Sequence, residues 1–151
     1  MASGVMHTKA TLILAGAIIP YYGADYPEKA ISALLAGLWA VLASPDLDQL
    51  DDGSKGYYGL YVLDRTAPVS SRLWRLYWQP YARLFAHRSF WTHFPIVGTT
   101  GRLIYGGWWF VPILVRHIDI FTVFLVAVMS ADFLHWVMDW RIWRRIGLFE
   151  Q

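Results

Sequence analysis

The sequence IDIFTVFLVAVMSADFLHWVM (residues 118–138) is the longest apolar stretch of the chain. About 20 predominantly apolar residues are enough for a helix to cross a bilayer. This stretch nevertheless carries Asp132 and His135, and ionisable residues inside such a helix are candidates for a functional role. They share one helical face with Asp139, because the three stand three and four positions apart. We therefore predict a membrane-spanning helix with metal-ligating side chains on one face.

Three other apolar stretches precede it and are separated by polar segments. Thr8 to Ala24 just reaches spanning length. Pro27 to Ala43 begins with a proline suited to a first helical turn and is rich in small residues that permit close helix contact. Leu103 to Val115 is interrupted by two glycines and Pro112. The sequence thus predicts an all-α fold, a small polytopic membrane bundle of about four transmembrane helices, with residues 1–151 forming a single domain.

The composition favours a membrane and restricts the chemistry. Of 151 residues, 56% are hydrophobic and 17% aromatic, well above the average of soluble proteins. The chain has no Cys, which excludes disulfides and thiolate metal sites. Its net charge is only +2, and no basic block suggests a nucleic-acid partner. Any metal must therefore be held by nitrogen and oxygen.

The positions of the basic residues predict an orientation. If four spans start from a cytoplasmic N-terminus, only Lys29 and Arg116 of the thirteen Lys and Arg lie outside. This is the bias of the positive-inside rule, and it predicts an inner-membrane protein with both termini in the cytoplasm. The alternative is a soluble bundle with buried helices, because three of the four stretches are short for a comfortable span.

The long loop of residues 44–101 contains a second kind of helix. In Ser70 to Phe85, aromatic and leucine side chains recur at helical spacing, with arginines between them. This pattern is typical of an amphipathic helix at a membrane interface, interrupted here at Pro80. We expect it to anchor the loop or to contact lipid head groups.

Residue types that bind metal occur in groups that this topology places at the same end of the bundle. Asp46 and Asp48 are predicted to point the same way from an extended segment. Imidazole and carboxylate bind Zn, Mn or Fe, so we predict one or two divalent ions at a single assembled site. The candidate groups are His7, Asp46 with Asp48, His87 with His93, and His135 with Asp132 and Asp139.

Several motifs together resemble a family of metal-binding membrane proteins. They are Ala2-Ser3-Gly4-x-x-His7, Ser44-Pro45-Asp46-x-Asp48, His87-Arg88-Ser89-Phe90-x-x-His93, Pro95, Gly98-Thr99, Arg102, Tyr105 and His135. That family looks like a branch of the membrane-bound metal-dependent hydrolases, which include LexA-binding inner-membrane hydrolases. The resemblance implies metal ligands at His7, Asp46, Asp48, His87, His93 and His135, with Asp139 as a further candidate.

Two main functions are compatible with these patterns. The first is a membrane-bound hydrolase of an ester or phosphoester, with Arg88 and Asp139 as candidate catalytic residues and Arg88 placed to bind an anionic group. The second is a non-catalytic accessory subunit in which the metal holds the helices of a larger membrane complex together. A metal-free phosphatase of the phosphatidic-acid type ranks last, because only its terminal His135-x-x-x-Asp139 pattern is present.

Overall fold

The computed structural model describes residues 4–22, 25–50, 58–85, 89–108, 112 and 116–139, without the side chains of residues 48, 49 and 58. All regular structure within these ranges is helical, which confirms the all-α class. The elements are α1 (Gly4–Tyr22), α2 (Pro27–Leu42), a 3₁₀ helix (Pro45–Gln49), α3 (Tyr58–Thr66), α4 (Pro68–Leu84), α5 (Phe90–His93), α6 (Pro95–Gly107) and α7 (Ile118–Asp139).

Helix α2 packs between α1 and α7, and its small residues allow the close approach that the sequence predicts. Ala36 of α2 is fully buried and packs with Ala127 and Val128 of α7. On the side of α1, a Cβ at Gly37 would lie only 2.7 Å from the Cβ of Ala15. Glycine at position 37 therefore sets the distance between α1 and α2.

The three long helices bring specific ends together. The hydroxyl of Ser32, near the start of α2, donates to the carbonyl of Ile120 near the start of α7 at 2.8 Å. At the other end, His7 in the first turns of α1 stacks on His135 near the end of α7. Helices α2 and α7 therefore run in the same direction, and α1 runs opposite to both.

Helix α4 packs with one face toward the rest of the protein. Trp78 is fully buried and belongs to a cluster with Leu47, Leu60 and Tyr81. The predicted interruption at Pro80 is wrong, because α4 continues through this residue to Leu84. Pro80 is exposed, so its ring points away from the core while the buried side chains on either side hold the helix. The predicted location at a membrane interface stays a prediction.

Two segments in the described part of the chain are long and apolar enough to cross a membrane. They are Pro27–Leu47 and Ile118–Asp139. Buried helices of soluble proteins can have the same length and composition, so these segments alone do not establish a membrane location. The four predicted spans are not confirmed. Helix α6 begins at Pro95 rather than Leu103, and most of the predicted third span after residue 108 lies outside the described residues.

Candidate metal centre

Four metal-ligating side chains from three separate elements converge at one end of the bundle. Helix α7 provides His135 and Asp139, the 3₁₀ helix provides Asp46, and α5 provides His93. One donor atom from each of these residues lies within 4.8 Å of the other three. Asp46, His93 and His135 are buried, and Asp139 is only partly exposed. The fold thus joins residues that are far apart in the sequence.

The distances between these donors fit ligands of a common ion better than hydrogen-bonded partners. Nε2 of His135 lies 3.6 Å from an oxygen of Asp46 and 3.4 Å from an oxygen of Asp139. Nε2 of His93 lies 3.8 Å from the same Asp46 oxygen. Two ligands about 2.1 Å from one ion at the tetrahedral angle are about 3.4 Å apart. The donor set therefore has the spacing of a shared coordination sphere.

The buried ring nitrogen of His135 supports the same interpretation. Among the described residues its Nε2 has no hydrogen-bond partner, although two carboxylates are close. A buried polar atom without a partner is energetically costly, and ligation of a cation would remove that cost. With neutral imidazoles, the carboxylates of Asp46 and Asp139 carry two negative charges, which a divalent ion would balance. The residues present therefore fit a divalent metal.

His7 supports this group from the side. Its ring stacks on the ring of His135 with 3.8 Å between the centroids. Its Nε2 lies 3.1 Å from Oδ1 of Asp139, while Oδ2 of Asp139 is the oxygen close to His135. A hydrogen bond to one carboxylate oxygen orients the other, as is common around metal ligands. His7 is thus placed to orient Asp139.

The position of Asp46 follows from local sequence and from contacts with α4. Ser44 caps the 3₁₀ helix by accepting a hydrogen bond from the amide of Asp46, and Pro45 occupies its first turn. On either side of this segment, Trp74 donates to the carbonyl of Leu42 and Arg75 to that of Leu50. Asp46 therefore lies in a connection that is fixed at both ends.

Arg75 of α4 also forms an ion pair with Asp64 of α3. Its guanidinium lies 2.6 Å from Asp64, which also accepts a hydrogen bond from the hydroxyl of Ser71. The hydrogen bond from the Ser71 hydroxyl makes the largest contribution to lowering the pKa of the Asp64 carboxyl, and the Arg75 guanidinium lowers it further. Partial burial opposes both effects. Asp64 therefore stays ionised and helps to hold the arginine that contacts Leu50.

A polar chain holds His93. Oγ1 of Thr92 lies 2.8 Å from Nδ1 of His93, and the Thr92 hydroxyl donates to the carbonyl of Ser89. When the Thr92 hydrogen is donated to Ser89, Nδ1 of His93 must carry the proton and donate to Thr92. The lone pair then lies on Nε2, the nitrogen that faces Asp46. This is the tautomer that a metal ligand at Nε2 requires.

The family comparison agrees with this geometry. The sequence profile of the family described as uncharacterized metal-binding protein (DUF2227) matches residues 2–147. The chain belongs to the DUF2227 family. No curated protein and no solved structure matched it. Membership confirms the predicted metal-binding family. No match links this DUF2227 chain to the LexA-binding membrane hydrolases, so that predicted relationship stays a prediction.

The structure of this DUF2227 chain brings together some of the predicted site residues. Asp46, His93, His135 and Asp139 converge, and His7 is in contact with them. His87 and Arg88 lie outside the described residues, as does the side chain of Asp48. Their predicted roles stay predictions. His117 is exposed and does not belong to the converging donors.

Two expectations about local structure need correction. Asp46 and Asp48 lie in a 3₁₀ helix rather than an extended segment, so alternation along a strand does not apply to them. Asp132 shares a helical face with His135 but does not belong to the converging donors. It pairs instead with Arg102 and accepts a hydrogen bond from Thr99.

Sequence patterns assign no role to Thr92, which contacts a candidate ligand directly, or to Arg102, which contacts Thr92. Arg102 stands in an otherwise apolar and small-residue segment, where a charged residue requires a partner. Asp132 is a charged residue in the apolar stretch of α7, so the two sequence signals together could have suggested that Arg102 pairs with Asp132. No comparable signal identifies Thr92, because a threonine beside a histidine is common.

Proposed function

We propose that this DUF2227 protein is a metal-dependent hydrolase of an ester or phosphoester. The observation that carries the proposal is the donor set, in which two imidazoles and two carboxylates converge within 4.8 Å. Structural zinc sites are mostly rich in Cys, whereas His with carboxylate is typical of catalytic sites. This set suits Zn, Mn or Fe. A second ion would require further ligands such as Asp48 or His87.

Asp46, His93, His135 and Asp139 would hold the ion. A divalent ion in such a site supplies a Lewis acid and makes water acidic enough to act as a nucleophile near neutral pH. His7 orients Asp139, for which we propose a catalytic role in addition to ligation. Arg88 would bind the anionic part of the substrate, because a guanidinium recognises phosphate or carboxylate through two parallel hydrogen bonds.

We further propose that α1, α2, α7 and the predicted third span from Leu103 to Val115 cross the inner membrane, which places the metal centre and both termini on the cytoplasmic side. The apolar stretch of α7 has a mean hydropathy of 1.9, and only 28% of it is buried within the chain. Large apolar side chains are exposed on all three long helices, for example Ile13 on α1, Ile31 on α2 and Phe133 on α7. Apolar surface of this extent is unfavourable in water. We expect the protein to resist alkaline extraction from membranes; release into the soluble fraction would refute the membrane location.

Metal content and hydrolysis test the proposed activity. We expect the purified protein to contain about one or two equivalents of Zn, Mn or Fe by elemental analysis. His135→Ala should lose the metal and the hydrolysis of chromogenic carboxylic and phosphoric esters. His117→Ala is the matched control, because this exposed histidine lies outside the site. It should retain both properties.

The outcomes separate the metal site from the activity. Absence of metal from the parent after reconstitution, or retention of metal by His135→Ala, would contradict the proposed site. A metal-containing parent that hydrolyses none of the esters would contradict the hydrolase and favour the second function.

The second candidate function is a non-catalytic accessory subunit whose metal is structural. The observation that favours it is the number of converging donors. Four protein ligands fill the coordination sphere of tetrahedral zinc and leave no position for a substrate. We then expect metal to be bound tightly and stoichiometrically without hydrolysis. Exposed apolar faces on the helices would pack against other membrane subunits.

A further inference from the structure

Arg102 lies deep in the protein and contacts two different elements. Only 1% of its surface is exposed. One terminal nitrogen donates to a carboxylate oxygen of Asp132 in α7, and the other donates to the main-chain carbonyl of Thr92 in α5 at 2.9 Å. Asp132 accepts a further hydrogen bond from the hydroxyl of Thr99. The guanidinium therefore connects two segments that are separated by a long stretch of sequence.

Each of these two segments carries part of the candidate metal centre. Asp132 lies one helical turn before His135 on the same face of α7. Thr92 precedes His93 and contacts its Nδ1 through the side-chain oxygen. Arg102 is therefore connected to His135 through α7 and to His93 through Thr92.

We propose that Arg102 is a positioning residue, which sets the distance and orientation of His93 relative to His135 and Asp139 without binding the ion itself. This inference rests on the proposed metal centre and adds to it a determinant of metal affinity. A buried ion pair adds little net stability compared with apolar packing, so a role in geometry is the better explanation for its presence.

The shape of the guanidinium explains why lysine could not replace it. The two terminal nitrogens of Arg102 are held in a plane at a fixed separation and reach two acceptors at once. A lysine has a single ammonium on a flexible chain and would keep the charge beside Asp132. It would lose the fixed link to Thr92. Arg102→Lys therefore removes positioning while it leaves the buried Asp132 with a cation.

Cobalt and zinc binding test this inference in the full-length protein. We expect Arg102→Lys to bind Zn²⁺ about 10- to 100-fold more weakly, as is typical when residues that orient ligands are changed. Its complex with Co²⁺ should show altered ligand-field absorption, because His93 would approach the ion differently. Val128→Ala is the control, since Val128 is a buried residue of α7 in an apolar cluster. It should lower stability while leaving the affinity and the spectrum unchanged.

A second variant keeps the test valid if Arg102→Lys does not fold. Asp132→Asn retains the volume of the side chain but weakens its hold on Arg102, and we expect a smaller change of affinity in the same direction. If a folded variant keeps the zinc affinity and the cobalt spectrum of the parent, the inference about Arg102 is overturned while the proposed function is unaffected. A similar loss of affinity in Val128→Ala would also overturn it, because it would indicate general destabilisation. A parent that binds no metal would overturn both the inference and the proposed function.

Discussion

At Gly98, α6 passes close to the main chain of Thr92. A Cβ at this position would lie 2.2 Å from the carbonyl oxygen of Thr92 and 3.3 Å from a terminal nitrogen of Arg102. The first distance is far too short for any real contact, and its partner is main chain rather than a flexible side chain. Glycine is therefore required by space, and it allows Arg102 to reach the Thr92 carbonyl.

We expect Gly98→Ala to destabilise the protein by about 1–3 kcal/mol, the usual cost of forcing extra atoms into a packed interior. Because the displaced segment carries His93, the affinity for Zn²⁺ should fall as well. Denaturant unfolding in detergent and zinc competition measure the two effects.

Gly101→Ala provides the matched control in the same helix. A Cβ there would meet only the Tyr81 hydroxyl at 3.6 Å, an ordinary contact. The change should raise stability by up to about 1 kcal/mol through helix propensity. Equal stability of the two alanine variants would show that Thr92 can move away at little cost, contrary to our account.

At the scale of single helices, the sequence predicts the long elements well. The predicted stretches Pro27 to Ala43 and Ile118 to Met138 correspond closely to α2 and α7, whereas α1 begins at Gly4, four residues before the predicted Thr8. Their long, mainly apolar runs and the proline at the start of α2 are local signals that packing does not override. The predicted positions of Asp46, His135 and Asp139 relative to the ends of α2 and α7 are therefore nearly correct, whereas His7 lies inside α1 rather than before it.

The shorter elements depend on contacts that a local pattern does not contain. The 3₁₀ helix at Asp46 begins with the Ser44 cap, but its course also depends on Trp74 and Arg75, which bind the carbonyls on either side. The start of α6 at Pro95 requires that Gly98 fit against Thr92. Both features arise from tertiary packing.

The candidate site shows the same division between local and long-range information. His135 and Asp139 stand four residues apart in a helix, so their common face is predictable from spacing alone. The pairing of Arg102 with Asp132 joins two helices across thirty positions, so helical spacing alone does not predict it. Residue types thus indicate the candidate ligands, whereas the contacts that orient them require three-dimensional information.

At the scale of the whole molecule, the candidate metal centre brings together segments that lie far apart in the sequence. Asp46 follows α2, His93 precedes α6, and His135 and Asp139 lie near the end of α7. An ion bound by all four would connect these elements at one end of the bundle. In its absence, the carboxylates of buried Asp46 and partly buried Asp139 would lie close together with less compensation of their negative charge.

Removal of the metal should therefore lower the stability of the entire fold. An ion that binds only the folded state, present at a free concentration 100 times its Kd, adds about 2.7 kcal/mol to the free energy of unfolding. For a chain of this length, that corresponds to a decrease in apparent Tm of roughly 5–11 °C on chelation. Thermal unfolding of the chelated and reconstituted protein in detergent measures the difference.

The His135→Ala variant separates loss of the ion from other effects of the chelator. Because its site lacks a ligand, its apparent Tm should lie near that of the chelated parent and should not respond to added metal. Equal Tm values of the parent with and without metal would instead mean that the four donors are held in place by packing alone. These donors belong to separate elements that meet at the candidate site, so we expect a bound ion to stabilise their association. The chelated parent should therefore unfold at a lower temperature than the reconstituted parent.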